Sequence, residues 1–122
     1  MNDVKKILLV EDNPVNRMLI KKILTFHGSE VFEAVDGKDG IEKAEKHLPD
    51  LILMDLQLPV IGGLDAVKIL KENDATKNIP IIAVSANIRD EDKIKATEAG
   101  CVGFIEKPIN SRSFFDDISK YM

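Results

Sequence analysis

Short apolar runs alternate with longer amphipathic stretches along most of the chain. The runs are rich in branched aliphatic residues and are predicted to be strands over residues 6–10, 30–34, 51–55, 79–83 and 103–106. The first and third runs are apolar at nearly every position, which is typical of strands covered on both faces. The alternation predicts an α/β protein in which strand-helix units surround a parallel sheet.

The stretches between these runs carry helix start and stop signals. The first helix is predicted to begin at Asn13-Pro14, where a capping side chain precedes a proline, and to end at His27-Gly28. Four more helices are predicted over residues 38–48, 64–73, 90–99 and 113–121. A chain of 122 residues fits one hydrophobic core, so we expect a single domain over residues 1–122.

Composition excludes several classes of protein. The 21 acidic and 17 basic residues give a formal net charge of -4, so no broad positive field attracts nucleic acid. The apolar runs are too short to cross a membrane, and the first residues lack the apolar core of a signal peptide. The single cysteine forms no internal disulfide. We therefore expect a cytoplasmic protein with neither nucleic acid nor membrane as partner.

Polar residues follow the predicted strands at the edge where parallel strands end together. Glu11 and Asp12 follow the first strand, Asp55 ends the third, Ser85 follows the fourth and Lys107 follows the fifth. Ligands of open α/β sheets bind at this edge, and right-handed crossovers on both faces place the first and third strands side by side. The three carboxylates are therefore predicted to share one pocket.

Three close carboxylates repel one another unless a positive charge offsets them. Mg²⁺ fits, because it prefers oxygen ligands and often bridges to a phosphate. With Lys107 as a second positive charge, Asp55 is placed to attack a phosphorus atom, and Ser85 to bind the resulting phosphoryl oxygen. Each residue alone has a commoner role as a turn former or surface group, so the ordered set carries the prediction of phosphoryl transfer.

Five segments add a more specific pattern. They are VEDN at 10–13, LMDLQLP at 53–59, Gly63, VSA at 84–86 and KP at 107–108. Through them the whole chain resembles the receiver domain of two-component response regulators, most of all single-domain regulators of the polar-differentiation type. The resemblance implies a flavodoxin-like (βα)5 domain whose five-stranded parallel sheet has the order 2-1-3-4-5, with helices on both faces.

The resemblance also implies a phosphoacceptor switch rather than an enzyme. Asp55 would accept a phosphoryl group from a sensor histidine kinase or a histidine phosphotransfer protein. Mg²⁺ would be held by Asp12, Asp55 and the backbone carbonyl of Gln57, with Glu11 acting mainly through water. Since the 122 residues hold no output domain, the signal is expected to leave through protein contacts or by passing the phosphoryl group on.

Further residues take roles from the same resemblance. Ser85 and Phe104 match the switch pair, in which the hydroxyl moves to the phosphoryl group and the ring turns inward, while Lys107 binds the phosphoryl group. The Lys107-Pro108 bond matches a cis peptide. The family pattern more often has aspartate, threonine and tyrosine where this chain has Glu11, Ser85 and Phe104.

Two surfaces are predicted to contact partners. In the first helix the predicted inward stripe is Leu19, Ile20, Ile23 and Leu24. Val15 and Met18 fall off this stripe, so they are either ordinary exposed residues or a kinase docking site. The fourth helix carries few large apolar residues, and we expect the face of helix 4, strand 5 and helix 5 to change on activation and to bind the downstream target.

Three other functions remain as alternatives. Phosphatases with an aspartyl nucleophile usually carry a second aspartate two positions on, where this chain has Gln57, whose amide moves no proton. A flavin-binding protein of the same fold needs a phosphate loop of small residues, and Glu11-Asp12 would repel a phosphate. A receiver-like adaptor without phosphoryl chemistry does not account for the complete set of polar residues.

Overall fold

The computed structural model describes residues 4–58, 61–86 and 89–122. Within them, five strands alternate with five helices. In chain order these are β1 Lys6–Val10, α1 Pro14–Phe26, β2 Glu30–Ala34, α2 Gly37–His47, β3 Leu51–Asp55, α3 Gly63–Glu72, β4 Ile81–Ser85, α4 Asp90–Ala99, β5 Gly103–Glu106 and α5 Phe114–Ser119. Every described helix is too short or too polar to cross a membrane.

The strands form one parallel sheet of order β2-β1-β3-β4-β5, which confirms the predicted fold. The register places Val10 beside Met54 and Asp55 beside Val84. The residues that end β1 and β3, and those directly after them, therefore emerge together at the carboxyl edge of the sheet. Candidate polar residues from separate parts of the chain meet there because the strands are parallel.

Helices cover both faces of the sheet, and each face has its own apolar cluster. The α1–α5 face packs helix residues Ile20, Leu24 and Phe114 against alternate strand residues such as Leu9 and Leu53. The opposite face packs α2, α3 and α4 against the other set of strand residues. The sheet is thus buried on both sides, which explains the continuous apolar runs of its central strands.

The fourth strand differs from the prediction over residues 79–83, because it lies two residues later. The backbone N–H of Ile79 donates to the carbonyl of Thr76 in a turn, at 3.0 Å, and Pro80 has no N–H to donate. Ladder pairing instead continues through Val84 and Ser85, which lie beside Ile105 and Glu106. Ser85 consequently ends β4 rather than following it.

Helix ends agree with the prediction to within one residue, except in α5. The predicted last helix over 113–121 ends at Ser119, because Tyr121 and Met122 donate to carbonyls three residues back in a tighter turn. Asn13 caps α1 as predicted, its side-chain oxygen accepting from the N–H groups of Val15 and Asn16. Leu19 was wrongly included in the inward stripe: it is 38% exposed, at the margin of the buried face.

Candidate functional site

Glu11, Asp12 and Asp55 lie together at the carboxyl edge of the sheet. One carboxylate oxygen from each side chain lies within 4.8 Å of the other two. Glu11 and Asp55 are buried, while Asp12 is exposed at the mouth of the site. The sheet register brings the first and last of these residues together, as the sequence predicted from chain topology.

Lys107 reaches this cluster from the loop after β5. Its Nζ lies 2.8 Å from Oε1 of Glu11 and 3.1 Å from Oδ2 of Asp55. The other oxygen of each acid accepts a hydrogen bond from a backbone N–H. The N–H of Gln57 donates to Oδ1 of Asp55 at 2.9 Å, and the N–H of Asn13 donates to Oε2 of Glu11 at 3.2 Å. One ammonium and two loop amides therefore hold the two buried carboxylates in place.

Burial and neighbouring charges together shift the pKa values of two groups in the site. Burial raises the pKa of Glu11 to about 7, with a further increase from Asp55, and the contact with Lys107 offsets only part of this. For Lys107, burial by itself lowers the pKa, but the contacts with Glu11 and Asp55 outweigh burial and raise it. The lysine thus stays charged, whereas the positive charge near the buried glutamate is too small to keep its pKa at the ordinary value.

The residues present fit a hard divalent cation. Three carboxylates face one ammonium, and all the candidate ligand atoms are oxygens, which suits Mg²⁺. Oε1 of Glu11 is buried and, among the described residues, has no hydrogen bond of proper geometry, although Lys107 is close by as an ion pair. A carboxylate oxygen has more than one lone pair, so Oε1 can still accept a hydrogen bond from a metal-bound water beside the ammonium.

A cavity of about 560 Å³ opens beside the acidic cluster. Its lining includes Gln57 and Ser85 together with Arg89 at the start of α4. Ser85 is buried, and its hydroxyl donates to the neighbouring carbonyl of Ala86 at 3.0 Å. Phe104 lies beside Ala83 on the same sheet face as Ser85, half-buried against the α2–α3–α4 cluster.

Other predicted residues lie around this core of the site. The Lys107–Pro108 peptide bond is cis, the isomer that the resemblance implies. Val15 and Met18 are 72% and 59% exposed on α1, close in sequence to the acidic loop. In the LMDLQLP segment, Pro59 falls outside the described residues.

Gly63 has a steric reason for its identity. A Cβ atom there would overlap the carbonyl oxygen of Asp55 and lie 2.6 Å from Cα of Leu56, both backbone atoms. A side chain at the start of α3 would therefore displace the loop that follows β3. The sequence pattern included this glycine, but only the structure shows why a side chain does not fit there.

Sequence reasoning missed Arg17. Its Nη1 donates to the backbone carbonyl of Glu11 at 3.0 Å and lies 3.5 Å from that of Asp12. The available signal was its position four residues after the cap Asn13, one helical turn from the acidic loop. An arginine on the first turns of a helix is otherwise an ordinary surface residue.

Sequence comparisons match nearly the whole chain to one family of proteins. The sequence model of the response regulator receiver domain matches residues 7–119. The polar-differentiation response regulator DivK of Brucella anthropi is 37% identical over 118 residues, covering 97% of this chain and 96% of that protein.

Solved structures extend the likeness to three dimensions. The chemotaxis protein CheY4 of Vibrio cholerae has a TM-score of 0.94 at 28% identity, covering 98% of this chain and 100% of that one. The receiver domain of the sensor histidine kinase PA1611 from Pseudomonas aeruginosa has a TM-score of 0.89 at 33% identity, covering 98% of both chains, and holds a magnesium ion in its active site cleft.

Proposed function

Because the chain belongs to the response regulator receiver domain family of two-component signalling proteins, we propose that it is a switch that accepts a phosphoryl group on Asp55. The observation that carries this proposal is the meeting of three carboxylates within 4.8 Å, with the ammonium of Lys107 3.1 Å from Asp55. The proposed receiver domain spans residues 1–122.

The proposed reaction transfers phosphorus from a phosphohistidine to Asp55. A carboxylate oxygen attacks the phosphorus, an O–P bond forms while the P–N bond breaks, and the departing imidazole keeps the electron pair and takes up a proton. Asp12, Asp55 and the carbonyl of Gln57 would hold Mg²⁺, with Glu11 acting mainly through water, and the ion would supply positive charge to the phosphoryl oxygens.

The residues around Asp55 act before and after the transfer. Lys107 already touches the acceptor carboxylate and stays charged, so it can follow the negative charge onto the phosphoryl oxygens. Ser85 exchanges its bond to Ala86 for one to the phosphoryl group, and Phe104 on the same sheet face turns inward as it moves. Ser85 lines the cavity beside the acidic cluster, and Phe104 lies on the same face of the sheet.

The phosphoryl group is expected to leave slowly, which distinguishes a switch from a phosphatase. Hydrolysis is fast when a side chain near the phosphorus takes a proton from water, but the residue two positions after Asp55 is Gln57. The domain thus assists its own phosphorylation and only slow dephosphorylation. A purified protein that absorbs light as flavin does would favour the cofactor-binding alternative instead.

Acetyl phosphate tests the acceptor directly. The parent protein, with Mg²⁺, should gain the mass of one phosphoryl group in intact mass spectrometry, and Asp55→Asn should gain none. Asp65→Asn, which neutralises an acid in the first turn of α3, is the matched control and should be labelled like the parent. Equal labelling of Asp55→Asn and the parent would exclude Asp55 as the acceptor.

The output surface is proposed to be the face formed by α4, β5 and α5. Helix α4 buries Ala96 and Ala99 but no large apolar residue among those described, so a shift in its packing costs little. Amide hydrogen exchange with and without beryllofluoride, a phosphoryl mimic, should change in α4 and β5 and stay constant in α1. Unchanged exchange in α4 and β5 would place the output elsewhere.

Partners follow from this chemistry. Receiver domains interact with histidine kinases and phosphotransfer proteins, and we propose that Val15 and Met18 on α1 contact that donor beside the acidic loop. The proposal includes a cytoplasmic location, since the chain's single cysteine, Cys101, is typical of a reducing compartment. A candidate kinase is the donor if it transfers a phosphoryl group to the parent protein but not to Asp55→Asn.

A further inference from the structure

Asp12 is the least constrained acid of the site. It lies in the three-residue loop between β1 and α1, and unlike Glu11 and Asp55 it is exposed. Repulsion from the two neighbouring carboxylates favours turning its side chain away from them. Something other than side-chain packing must keep its carboxylate directed at the cluster.

Arg17 contacts the backbone on both sides of Asp12. Its Nη1 lies 3.0 Å from the carbonyl oxygen of Glu11 and 3.5 Å from that of Asp12. These oxygens belong to the two peptide planes that flank Asp12, and the orientations of those planes set its φ and ψ. Among the described residues, no other hydrogen-bond donor reaches either carbonyl. One guanidinium therefore constrains the direction in which the Asp12 side chain leaves the backbone.

The guanidinium is itself anchored on the neighbouring strand. Nε of Arg17 lies 3.4 Å from Oε1 of Glu33 on β2, and Arg17 is only 21% exposed. The second oxygen of Glu33 pairs with Lys21 at 3.1 Å, and Lys43 donates to the Glu33 backbone carbonyl. The planar fork of an arginine can contact a carboxylate and a carbonyl at once, which a single ammonium does less well.

We propose that Arg17, anchored by Glu33, is a positioning residue that holds the β1–α1 loop in the conformation needed for Mg²⁺ binding by Asp12. This inference rests on the proposed function, because it concerns the same acidic site. Among the described residues, Arg17 makes no hydrogen bond or ion pair with the side chains of Glu11, Asp12 or Asp55. It acts through the backbone of the loop, as the outer partners of metal ligands do elsewhere.

The direction of the effect separates this role from simple electrostatics. Arg17 is a cation near a cation site, so removing its charge should tighten Mg²⁺ binding if charge alone matters. Loss of a positioning residue should weaken binding instead. Lys21→Gln is the matched control: it removes one positive charge paired with the same Glu33, from a side chain that donates to no loop carbonyl in the described part of the chain.

The test measures Mg²⁺ dissociation constants by calorimetry for the parent, Arg17→Gln and Lys21→Gln, with magnesium chloride as the only ligand. Arg17→Gln should raise the dissociation constant about tenfold, the size typical of lost outer partners, while Lys21→Gln leaves it unchanged or lowers it. Arg17→Lys should recover only part of the affinity. In the metal-free protein, the amides of Asp12 and Asn13 should exchange faster in Arg17→Gln than in the parent.

Unchanged or tighter Mg²⁺ binding by Arg17→Gln overturns the inference. If Arg17→Gln does not fold, Glu33→Gln removes only the anchor of Arg17. This variant should raise the Mg²⁺ dissociation constant, but by less than tenfold. An unchanged dissociation constant for Glu33→Gln would also overturn the inference. Failure of the proposed function looks different, since Asp12→Asn would then bind Mg²⁺ as well as the parent and Asp55→Asn would still be phosphorylated.

Discussion

Helices α1 and α4 are held against the sheet in different ways. Helix α1 buries three large aliphatic side chains, Ile20, Ile23 and Leu24. Helix α4 buries Ala96 and Ala99, and its Ile94 is 58% exposed. Since the free energy of packing grows with buried apolar area, α1 is anchored much more firmly than α4.

The two helices adjoin opposite sides of the candidate site. The acidic loop with Glu11 and Asp12 immediately precedes α1, and Arg17 on that helix contacts the loop, so these two acids are attached to the firmly held side. Arg89 and Asp92, at the start of α4, line the cavity beside Ser85. Under the proposed function, a phosphoryl group bound there would meet firmly held groups on one side and a weakly packed helix on the other.

Truncation in α1 should have the largest effect on stability. Leu24→Ala removes a fully buried side chain from the α1–α5 cluster and should lower the free energy of unfolding by about 2–5 kcal/mol. Urea denaturation followed by circular dichroism measures this. A loss below about 1 kcal/mol would mean that α1 is not the better-anchored helix.

Glu11 should make the metal-free protein less stable as pH rises. Its raised pKa means that the folded state binds a proton more tightly than the unfolded state between its ordinary value of 4.5 and about 7. The free energy of unfolding therefore falls across that window, by at most about 1.4 kcal/mol per pH unit, and Glu11→Gln removes this contribution. Urea denaturation in EDTA at several pH values compares the slopes, and parallel curves for parent and variant would contradict the prediction.

Truncation of an exposed aliphatic residue in α4 should have the smallest effect on stability. Ile94→Ala removes an exposed side chain, so the free energy of unfolding should change by less than about 0.5 kcal/mol. Binding of a downstream partner is the informative readout, because Ile94 lies on the proposed output face. A loss of stability as large as that of Leu24→Ala would remove the contrast between the helices.

The fold was predictable because its signals are local. Apolar runs, the Asn13-Pro14 start and the glycines after α1 and α4 marked nearly every element of the structure within one residue. The fourth strand and the end of the last helix were the exceptions. In the strand, apolar character continues through Ile79, but a turn bond to Thr76 keeps that residue out of the ladder. The prediction that Leu19 belongs to the buried stripe of α1 was wrong, because helical periodicity identifies the buried face but not where its margin lies.

The meeting of Glu11, Asp12 and Asp55 was also predictable, because parallel strands with right-handed crossovers leave little choice of strand order. The contacts of Arg17 were not predictable. They depend on the direction of one long side chain between a loop and β2, which no local pattern encodes. The same holds for the raised pKa of Glu11, which follows from burial.

The sequence by itself determined the elements, their order and the edge at which the acidic and basic residues gather, because hydrophobic periodicity and chain connectivity act over short ranges. Only the tertiary structure decided which carboxylates are buried, how one ammonium pairs with two of them and which arginine contacts the loop carbonyls. Burial and hydrogen-bond geometry depend on every neighbour in space, and those neighbours come from separate parts of the chain.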